Sequence, residues 1–253
     1  MAHHYSNSLY DRLADRLNRF PQGAPLSDSL FAILKILFSE KEAGLVAQLP
    51  IKPFTVDRAA AIWKLDKATA QNMLEDLAGR AMLLDMEQNG QQMFCLPPPM
   101  AGFFEFSMMR VRGDVNQKAL AELYYQYLNV EEDFVKALFV ENGTPLGRIF
   151  VQEAALPQDG KLEVLDYERA SHIIKTASHI GVSMCYCRHK MQHLGRACDA
   201  PMDICMTFNT SARSLIKYGH ARQVDAAECL DLLAVAQGHN LVQFGENARE
   251  GVN

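Results

Sequence analysis

The chain has 253 residues, of which 49% are hydrophobic and 22% are charged, and its formal net charge is −5. This length suffices for one large domain or two to three small ones, and the acidic balance gives no general reason to expect binding to nucleic acid or acidic membranes. The first residues lack a basic start followed by an apolar run, and no stretch of about eighteen apolar residues appears, so the sequence predicts a cytoplasmic chain without a membrane span.

The first segment, 1–26, is predicted to be an N-terminal helix and a linker. The apolar residues Leu9, Leu13 and Leu17 recur at helical spacing over 5–20, and the PQGAP run that follows breaks the helix. A helix of this kind packs its apolar face on a neighbouring element or on a second subunit, so a homodimer is one expected arrangement.

The segment 27–97 shows the order of elements that is typical of a winged helix. Capping residues at Ser27, Ser39 and Asp66 predict successive helices. The Asn-Gly pair at 89–90 lies between two apolar runs and predicts a β-hairpin. Helices followed by a hairpin indicate a winged-helix-like domain.

The charges of this segment argue against DNA binding. Between 55 and 96 there are four basic side chains against six acidic ones, and Glu75 and Asp76 lie on the helix 67–78 that would enter the DNA groove. Phosphate contacts supply most of the non-specific affinity of DNA-binding proteins. Nucleic acid is therefore not the expected partner, and a scaffold or partner-docking role is favoured.

A helical connector is predicted for 98–160. Apolar residues at helical spacing indicate helices around 116–128 and 131–140. A strand is expected at 148–154, with a second run, 160–165, as its pairing partner.

The segment 161–253 is predicted to be a cysteine-ligated cluster domain. The apolar run 181–187 indicates a strand, and on a strand Cys185 and Cys187 would point to the same face. After Cys205 the chain is predicted to continue as a helix. With short strands among many helices, the whole chain is predicted to be α+β and mostly helical.

Four of the six cysteines lie within twenty-one residues of this segment. They can hold a metal centre, form two disulfides or remain inert thiols, and a cytosolic location favours metal because it keeps thiols reduced. Arg188, Lys190 and Arg196 would offset the negative charge of a four-thiolate [4Fe–4S] cluster. Zinc is the alternative; its four-sulfur sites usually show two C-x-x-C pairs, which are missing, although His189 and His193 could replace a thiolate. The predicted metal ligands are Cys185, Cys187, Cys198 and Cys205.

The remaining cysteines and the scattered histidines are interpreted as structural. Cys95 falls in a strand-like run and Cys229 in an amphipathic helix, where a free cysteine usually acts as a small buried hydrophobe. Four histidines are isolated in the sequence and are expected to be surface residues or internally satisfied ones: His172, His179, His220 and His239.

A longer pattern surrounds the cysteines. The chain has VLDYERA at 164–170, CYCR at 185–188, GRACDAPMDIC at 195–205, Phe208, GHAR at 219–222 and Asn247. This combination resembles a family of anaerobic iron–sulfur proteins, described as 4Fe–4S ferredoxin-type or iron–sulfur-binding proteins. In that family V-L-x-Y-E-x-A precedes C-x-C-R and G-x-x-C-x-A-P-x-D-x-C. The resemblance covers about 162–247 and implies an iron–sulfur centre there.

The resemblance also carries an expectation about the end of the chain. Family members continue past the position of Asn247 into further cysteines and C-x-x-C-x-x-C ferredoxin motifs, whereas this sequence ends at Asn253. Either the chain is truncated or it lacks the second, ferredoxin-type redox module, and truncation is the favoured expectation. In an intact protein, electrons would run from those ferredoxin clusters to the centre described above.

The sequence as a whole predicts an electron-transfer protein, or an oxidoreductase component, that holds one [4Fe–4S] cluster. Arg213 would join the other cations in offsetting the cluster's charge, and four cysteine ligands would leave no iron open to substrate. No G-x-G-x-x-G and no phosphate loop is present, and no catalytic triad is indicated, so a redox partner protein would supply the chemistry. Two alternatives stay open: a winged-helix regulator that senses redox state or metal, and a structural zinc scaffold.

Overall fold

The computed structural model describes residues 8–20, 22–141, 147–153 and 169–246. Within these ranges the chain is mostly helical with small antiparallel sheets, which confirms the predicted α+β class. No helix in the described ranges combines the length and apolar character that crossing a bilayer requires. The helices are α1 (Leu9–Leu17), α2 (Asp28–Leu37), α3 (Glu40–Val46), α4 (Val56–Trp63), α5 (Lys67–Gly79), α6 (Phe104–Phe106), α7 (Gln117–Tyr125), α8 (Asp133–Lys136), α9 (Ala170–Thr176), α10 (Tyr186–His193), α11 (Asn209–Lys217) and α12 (Ala226–Gly238).

The strands are short and pair in antiparallel fashion. They are β1 (Leu84–Gln88), β2 (Gln91–Cys95), β3 (Gly147–Ile149), β4 (Ile180–Met184), β5 (Asp203–Phe208), β6 (Arg222–Gln223) and β7 (Phe244–Glu246). β1 pairs with β2, β3 pairs with β7, and β4 lies between β5 and β6. Ser183 of β4 faces Cys205 of β5, and the register shifts directly after Ser183.

The N-terminal helix is held by a capping box and by burial. The Ser8 side chain accepts from the Asp11 amide, and the Asp11 carboxylate accepts from the Ser8 amide. Leu13 and Leu17 are fully buried, and α1 packs against α3. The neighbouring element that covers the apolar face of α1 therefore belongs to the same chain.

The predicted helices and hairpin between α2 and β2 are present in the predicted order. Ser27, Ser39 and Asp66 each cap a helix by accepting a hydrogen bond from a backbone amide of its first turn. Asn89 and Gly90 join the two strands with φ values of 54° and 74°, the positive values that a type I′ hairpin turn requires. The capping residues and the Asn-Gly pair thus mark where these helices and the hairpin turn form.

The predicted connector is packed into the core of the first half. The fully buried ring of Phe104 contacts four other aromatic rings at centroid distances of 4.9 to 6.2 Å, those of Phe103, Tyr124, Tyr127 and Phe134. These side chains share one continuous hydrophobic core with residues of α1 to α5. The aromatic residues of this segment are thus core residues, and no gap in the core separates the segment from the helices before it.

A second, smaller core lies around the β4–β5–β6 sheet. Ile174, Ile180, Val182 and Val224 are buried there together with Cys229 of α12, which is fully buried. α12 begins after Asp225, whose side chain accepts from the amide three residues on, as the capping pattern indicates.

Two predictions for the second half are wrong in detail. β4 ends at Met184, so Cys185 and Cys187 lie at the start of α10 and not on a strand. The chain after Cys205 continues as β5 to Phe208, because pairing with β4 satisfies its backbone groups, and α11 begins only after that strand.

Of the strand predicted at 148–154, only Arg148 and Ile149 lie in a strand among the described residues; they belong to β3, which pairs with β7 near the other end of the sequence. Gly147 permits this pairing, because a Cβ at that position would lie 1.9 Å from the Phe244 ring. The partner that the sequence suggested, 160–165, lies outside the described residues, as does the Asn247 position of the family pattern.

The hairpin of the first half docks on α11 through a buried carboxylate. Asp85, 6% exposed, accepts from the Tyr218 hydroxyl at 2.8 Å and from the Gln92 amide at 3.0 Å, and it pairs with the Lys217 ammonium group. The Asp85 amide also donates to the Ser214 hydroxyl at 3.0 Å. These contacts hold β1 against α11, the helix that follows Cys205 and β5.

Candidate metal centre

Three of the four predicted ligands come together where β4, α10 and β5 meet. Cys185 is the N-cap residue of α10, Cys187 lies in its first turn, and Cys205 lies in β5. The Cys185 amide donates to the Met202 carbonyl at 2.7 Å. This hydrogen bond holds the start of α10 beside the start of β5, so backbone pairing gathers thiols that are distant in sequence.

The three cysteines act on one another electrostatically. The nearby thiols of Cys187 and Cys205 strongly lower the pKa of Cys185, and the amide and guanidinium group of Arg188 act in the same direction. The same interaction with Cys185 raises the pKa of Cys187 and, together with burial, that of Cys205 far above the usual range. Cys185, at a helix N-terminus whose dipole favours an anion, is therefore the most readily deprotonated of the three.

Cys198 is placed differently. It is exposed, as Cys187 also is, but it lies in the loop between α10 and β5 and is not among the groups that shift the pKa of Cys185, Cys187 or Cys205. All six cysteines lie in the described ranges and are free thiols. Among the described residues, no three His, Cys, Asp or Glu side chains are arranged to hold a metal ion. The donor chemistry fits a thiolate-bound centre, but the thiols would have to rearrange, and Cys198 would have to join the other three to complete a four-sulfur set.

Arg188 is the predicted cation that acts most directly on the thiols. It is 8% exposed and its guanidinium group donates to the Pro201 carbonyl in the loop that carries Cys198. Its positive charge contributes to lowering the pKa of Cys185. Arg188 therefore links the loop to the thiolate.

Lys190 is a buried cation on the same helix. It is 6% exposed, its Nζ donates to Asn129 Oδ1 at 2.8 Å, and it lies 5.6 Å from the centroid of the Tyr186 ring and 6.0 Å from that of Tyr125. Burial lowers the pKa of Lys190, and the charge of Cys187 opposes that shift. The ammonium group is thus held by an amide oxygen and two aromatic faces within electrostatic reach of a thiol.

The other two predicted cations have partners of their own. The Arg196 guanidinium group lies 5.4 Å from the centroid of the Tyr125 ring and donates to its hydroxyl at 3.1 Å. Arg213 pairs with the Glu87 carboxylate of β1 at 2.5 Å, so its charge is offset there. The role of these two residues in compensating a cluster stays a prediction.

A carboxylate that the sequence reasoning did not single out lies near the thiols. Glu105 belongs to α6, and its negative charge contributes to raising the pKa of Cys187, Cys205 and Tyr186. The signal was present in the sequence, since Glu105 interrupts the apolar run 103–106. An acidic residue within a buried aromatic segment needs partners, and such residues often mark functional sites.

His189 and His193 form a pair of their own on α10. Nδ1 of His189 lies 2.7 Å from the Met108 carbonyl oxygen, and the two Nε2 atoms lie 3.2 Å apart. Because a carbonyl oxygen can only accept, the proton of His189 is on Nδ1 and its Nε2 accepts from His193. The sequence marked both histidines only as substitutes for a thiolate, and their facing arrangement was not predicted.

The remaining two cysteines have the environments of structural residues. Cys229 is fully buried and Cys95 is half-buried in β2. Burial raises the pKa of each thiol to about 11. Thiols of this kind are poor nucleophiles and poor metal ligands at neutral pH, in keeping with the interpretation from sequence.

No protein-family model, no curated protein and no solved structure matches this chain. The resemblance to 4Fe–4S ferredoxin-type proteins therefore depends on the motifs in the sequence.

Proposed function

We propose that this chain is an electron-transfer protein, or the electron-transfer component of an oxidoreductase, that holds one [4Fe–4S] cluster. Its ligands would be the four clustered cysteines, Cys185, Cys187, Cys198 and Cys205. The observation that supports this most is that three of these cysteines, two at the start of α10 and one in β5, lie near enough to shift one another's pKa. Such a cluster, when bound, supplies reversible one-electron transfer.

The surroundings of the thiols suit an anionic centre. Arg188 and Lys190 are both buried, and their positive charges act on Cys185 and Cys187 respectively. Buried cations lower the cost of deprotonating thiol ligands and raise the potential of an anionic cluster. The negative charge of Glu105 opposes these two cations. Of these three charged side chains, two therefore favour deprotonated thiols and one disfavours them.

Deleting each thiol in turn tests the ligand set. After anaerobic reconstitution with iron and sulfide, an alanine at Cys185, Cys187, Cys198 or Cys205 should abolish the visible absorbance of the cluster. Cys229→Ala and Cys95→Ala are matched controls that remove a free thiol elsewhere, and both should retain the cluster. Equal loss of cluster in all six variants, with unchanged far-UV circular dichroism, would show that the four clustered thiols are not the specific ligands.

Zinc is the second candidate, and one observation favours it. Four thiolates on one zinc ion at about 2.3 Å have sulfur atoms about 3.8 Å apart, so a zinc site needs the close approach that the mutual interaction of Cys185, Cys187 and Cys205 indicates. In a [4Fe–4S] cluster each thiolate binds a different iron, so the sulfurs lie farther apart. A colourless protein that copurifies with one zinc ion and rejects iron would establish the structural scaffold.

We also propose that 27–97 is a winged helix that docks a partner protein. The basic groups on and beside α5 are paired, since Lys67 lies 2.9 Å from the Asp57 carboxylate and Arg80 lies 3.0 Å from that of Asp76. Few cations are left to contact phosphates. Binding to duplex DNA that strengthens steeply as salt is lowered would instead support the regulator, in which the metal centre controls DNA binding.

A further inference from the structure

We propose that His189 and His193 form a second metal site, separate from the thiols, that takes a divalent transition-metal ion such as Zn²⁺ through imidazole nitrogens. The two residues are four positions apart on α10, so both rings lie on one face of the helix. Their Nε2 atoms face each other at 3.2 Å. Nδ1 of His189 contacts the Met108 carbonyl oxygen.

The separation of the two nitrogens suits one shared ion. With zinc–nitrogen bonds of about 2.0–2.1 Å, the 3.2 Å separation of the Nε2 atoms corresponds to an N–Zn–N angle of about 100°. That angle lies between the octahedral and tetrahedral values. Because the contact with Met108 holds His189, it is chiefly the ring of His193 that must turn to aim its Nε2 lone pair at the ion. The other coordination positions would be filled by water.

The surroundings of His189 are those of a metal ligand. Histidines that bind a metal usually donate their second ring N–H to a carbonyl or carboxylate, which fixes the tautomer. His189 does so through Nδ1 to Met108 at 2.7 Å, and at 4% exposure its ring is held in one orientation. The lone pair on its Nε2 therefore points towards His193, which is partly exposed.

Binding needs only a local movement of one proton. In the metal-free pair, His193 donates its Nε2 proton to His189; a metal ion takes the place of that proton, which moves to Nδ1 of His193. The ring stays neutral throughout. The Lys118 ammonium group, whose charge acts on His193, opposes a bound cation. We therefore expect this site to bind more weakly than the thiols and to fill after them.

The test is a zinc titration of the full chain with ¹⁵N-labelled histidine, under anaerobic conditions, that follows the Nε2 resonances by NMR. This readout reports on imidazole nitrogens directly, and only a step that follows saturation of the thiols with zinc is assigned to the histidine pair. The wild-type chain should show the Nε2 resonances of His189 and His193 shifting together in one saturable step. His193→Gln should weaken the step at His189 at least tenfold, since losing even an outer partner of a metal ligand costs about 10–100-fold in affinity.

Two further variants make the result specific. His239→Gln removes an exposed imidazole from the end of α12 and should leave the affinity unchanged. Lys118→Gln removes the opposing charge and should strengthen binding. The proposal is overturned if the Nε2 resonances of the wild type do not shift under zinc excess, or if His193→Gln binds zinc at His189 as tightly as the wild type. Neither result tests the cysteine ligands, so the iron–sulfur proposal is tested independently by the cysteine variants.

Discussion

His220 should make the protein sensitive to mild acid. It is 3% exposed, and its Nε2 lies 2.9 Å from the Gly79 carbonyl, to which it donates. Its Nδ1 is buried and has no hydrogen-bond partner among the described residues. Burial lowers the pKa of His220 from 6.5 to about 4, and the charges of Arg110 and Arg112 act in the same direction. The imidazole thus stays neutral in the folded protein at a pH where it is protonated in the unfolded chain.

The sign and size of the effect follow from this shift. As the pH falls below about 6.5, the unfolded state binds a proton that the folded state does not, so the free energy of unfolding decreases until the pH reaches about 4. A difference of 2 to 3 pKa units corresponds to a loss of about 3 kcal/mol over that window. The loss is reversible and is complete below the folded pKa.

Urea unfolding at a series of pH values measures this loss. In His220→Gln, whose amide can still donate to the Gly79 carbonyl, the decrease between pH 6.5 and pH 4 should shrink by about 3 kcal/mol relative to the wild type. His239→Gln, at an exposed position, controls for the removal of an imidazole. An unchanged pH dependence in His220→Gln would refute the reasoning and would mean that other groups cause the acid sensitivity.

Three further outcomes can be checked by unfolding or by potentiometry. Phe104→Ala opens a cavity in the shared aromatic core and should lower the free energy of unfolding by about 3–5 kcal/mol; a loss below 1 kcal/mol would mean that the connector is loosely packed. Asp85→Asn deprives the Lys217 ammonium of its ion pair and should lower the free energy of unfolding by about 1–3 kcal/mol. The loss is limited because Lys217 is half exposed and water can solvate its charge; an unchanged free energy of unfolding would show that β1 does not depend on this contact. In reconstituted protein, Lys190→Met should lower the cluster's reduction potential relative to Lys175→Met, a control at an exposed position of α9, and equal potentials would exclude Lys190 from tuning the centre.

The elements set by short-range signals could be predicted from the sequence. Ser39 is followed three residues later by Glu42, and the two form the capping box that this spacing indicates. The Asn-Gly pair at 89–90 produced the hairpin between β1 and β2. In each case the residues that decide the structure lie within a few positions of each other, so no knowledge of the tertiary fold was required.

The geometry of the candidate site depends on contacts between distant segments. Cys185 and Cys187 lie at a helix start because β4 ends where the Cys185 amide pairs with Met202, and no local pattern marks that end. The nearness of Glu105 to the thiols and the contact of His189 with a carbonyl of the preceding segment arise in the same way. The sequence identified the residue types and their clustering; the tertiary pairing decides which of them meet.

The most direct test of the central claim is to count iron and acid-labile sulfide per chain after anaerobic purification or reconstitution. One [4Fe–4S] cluster predicts about four of each per chain, a brown protein, and loss of both when Cys198→Ala removes the fourth ligand. A colourless protein that takes up one zinc ion per chain and no iron would contradict the iron–sulfur account, as would iron retained in full by the Cys198→Ala variant.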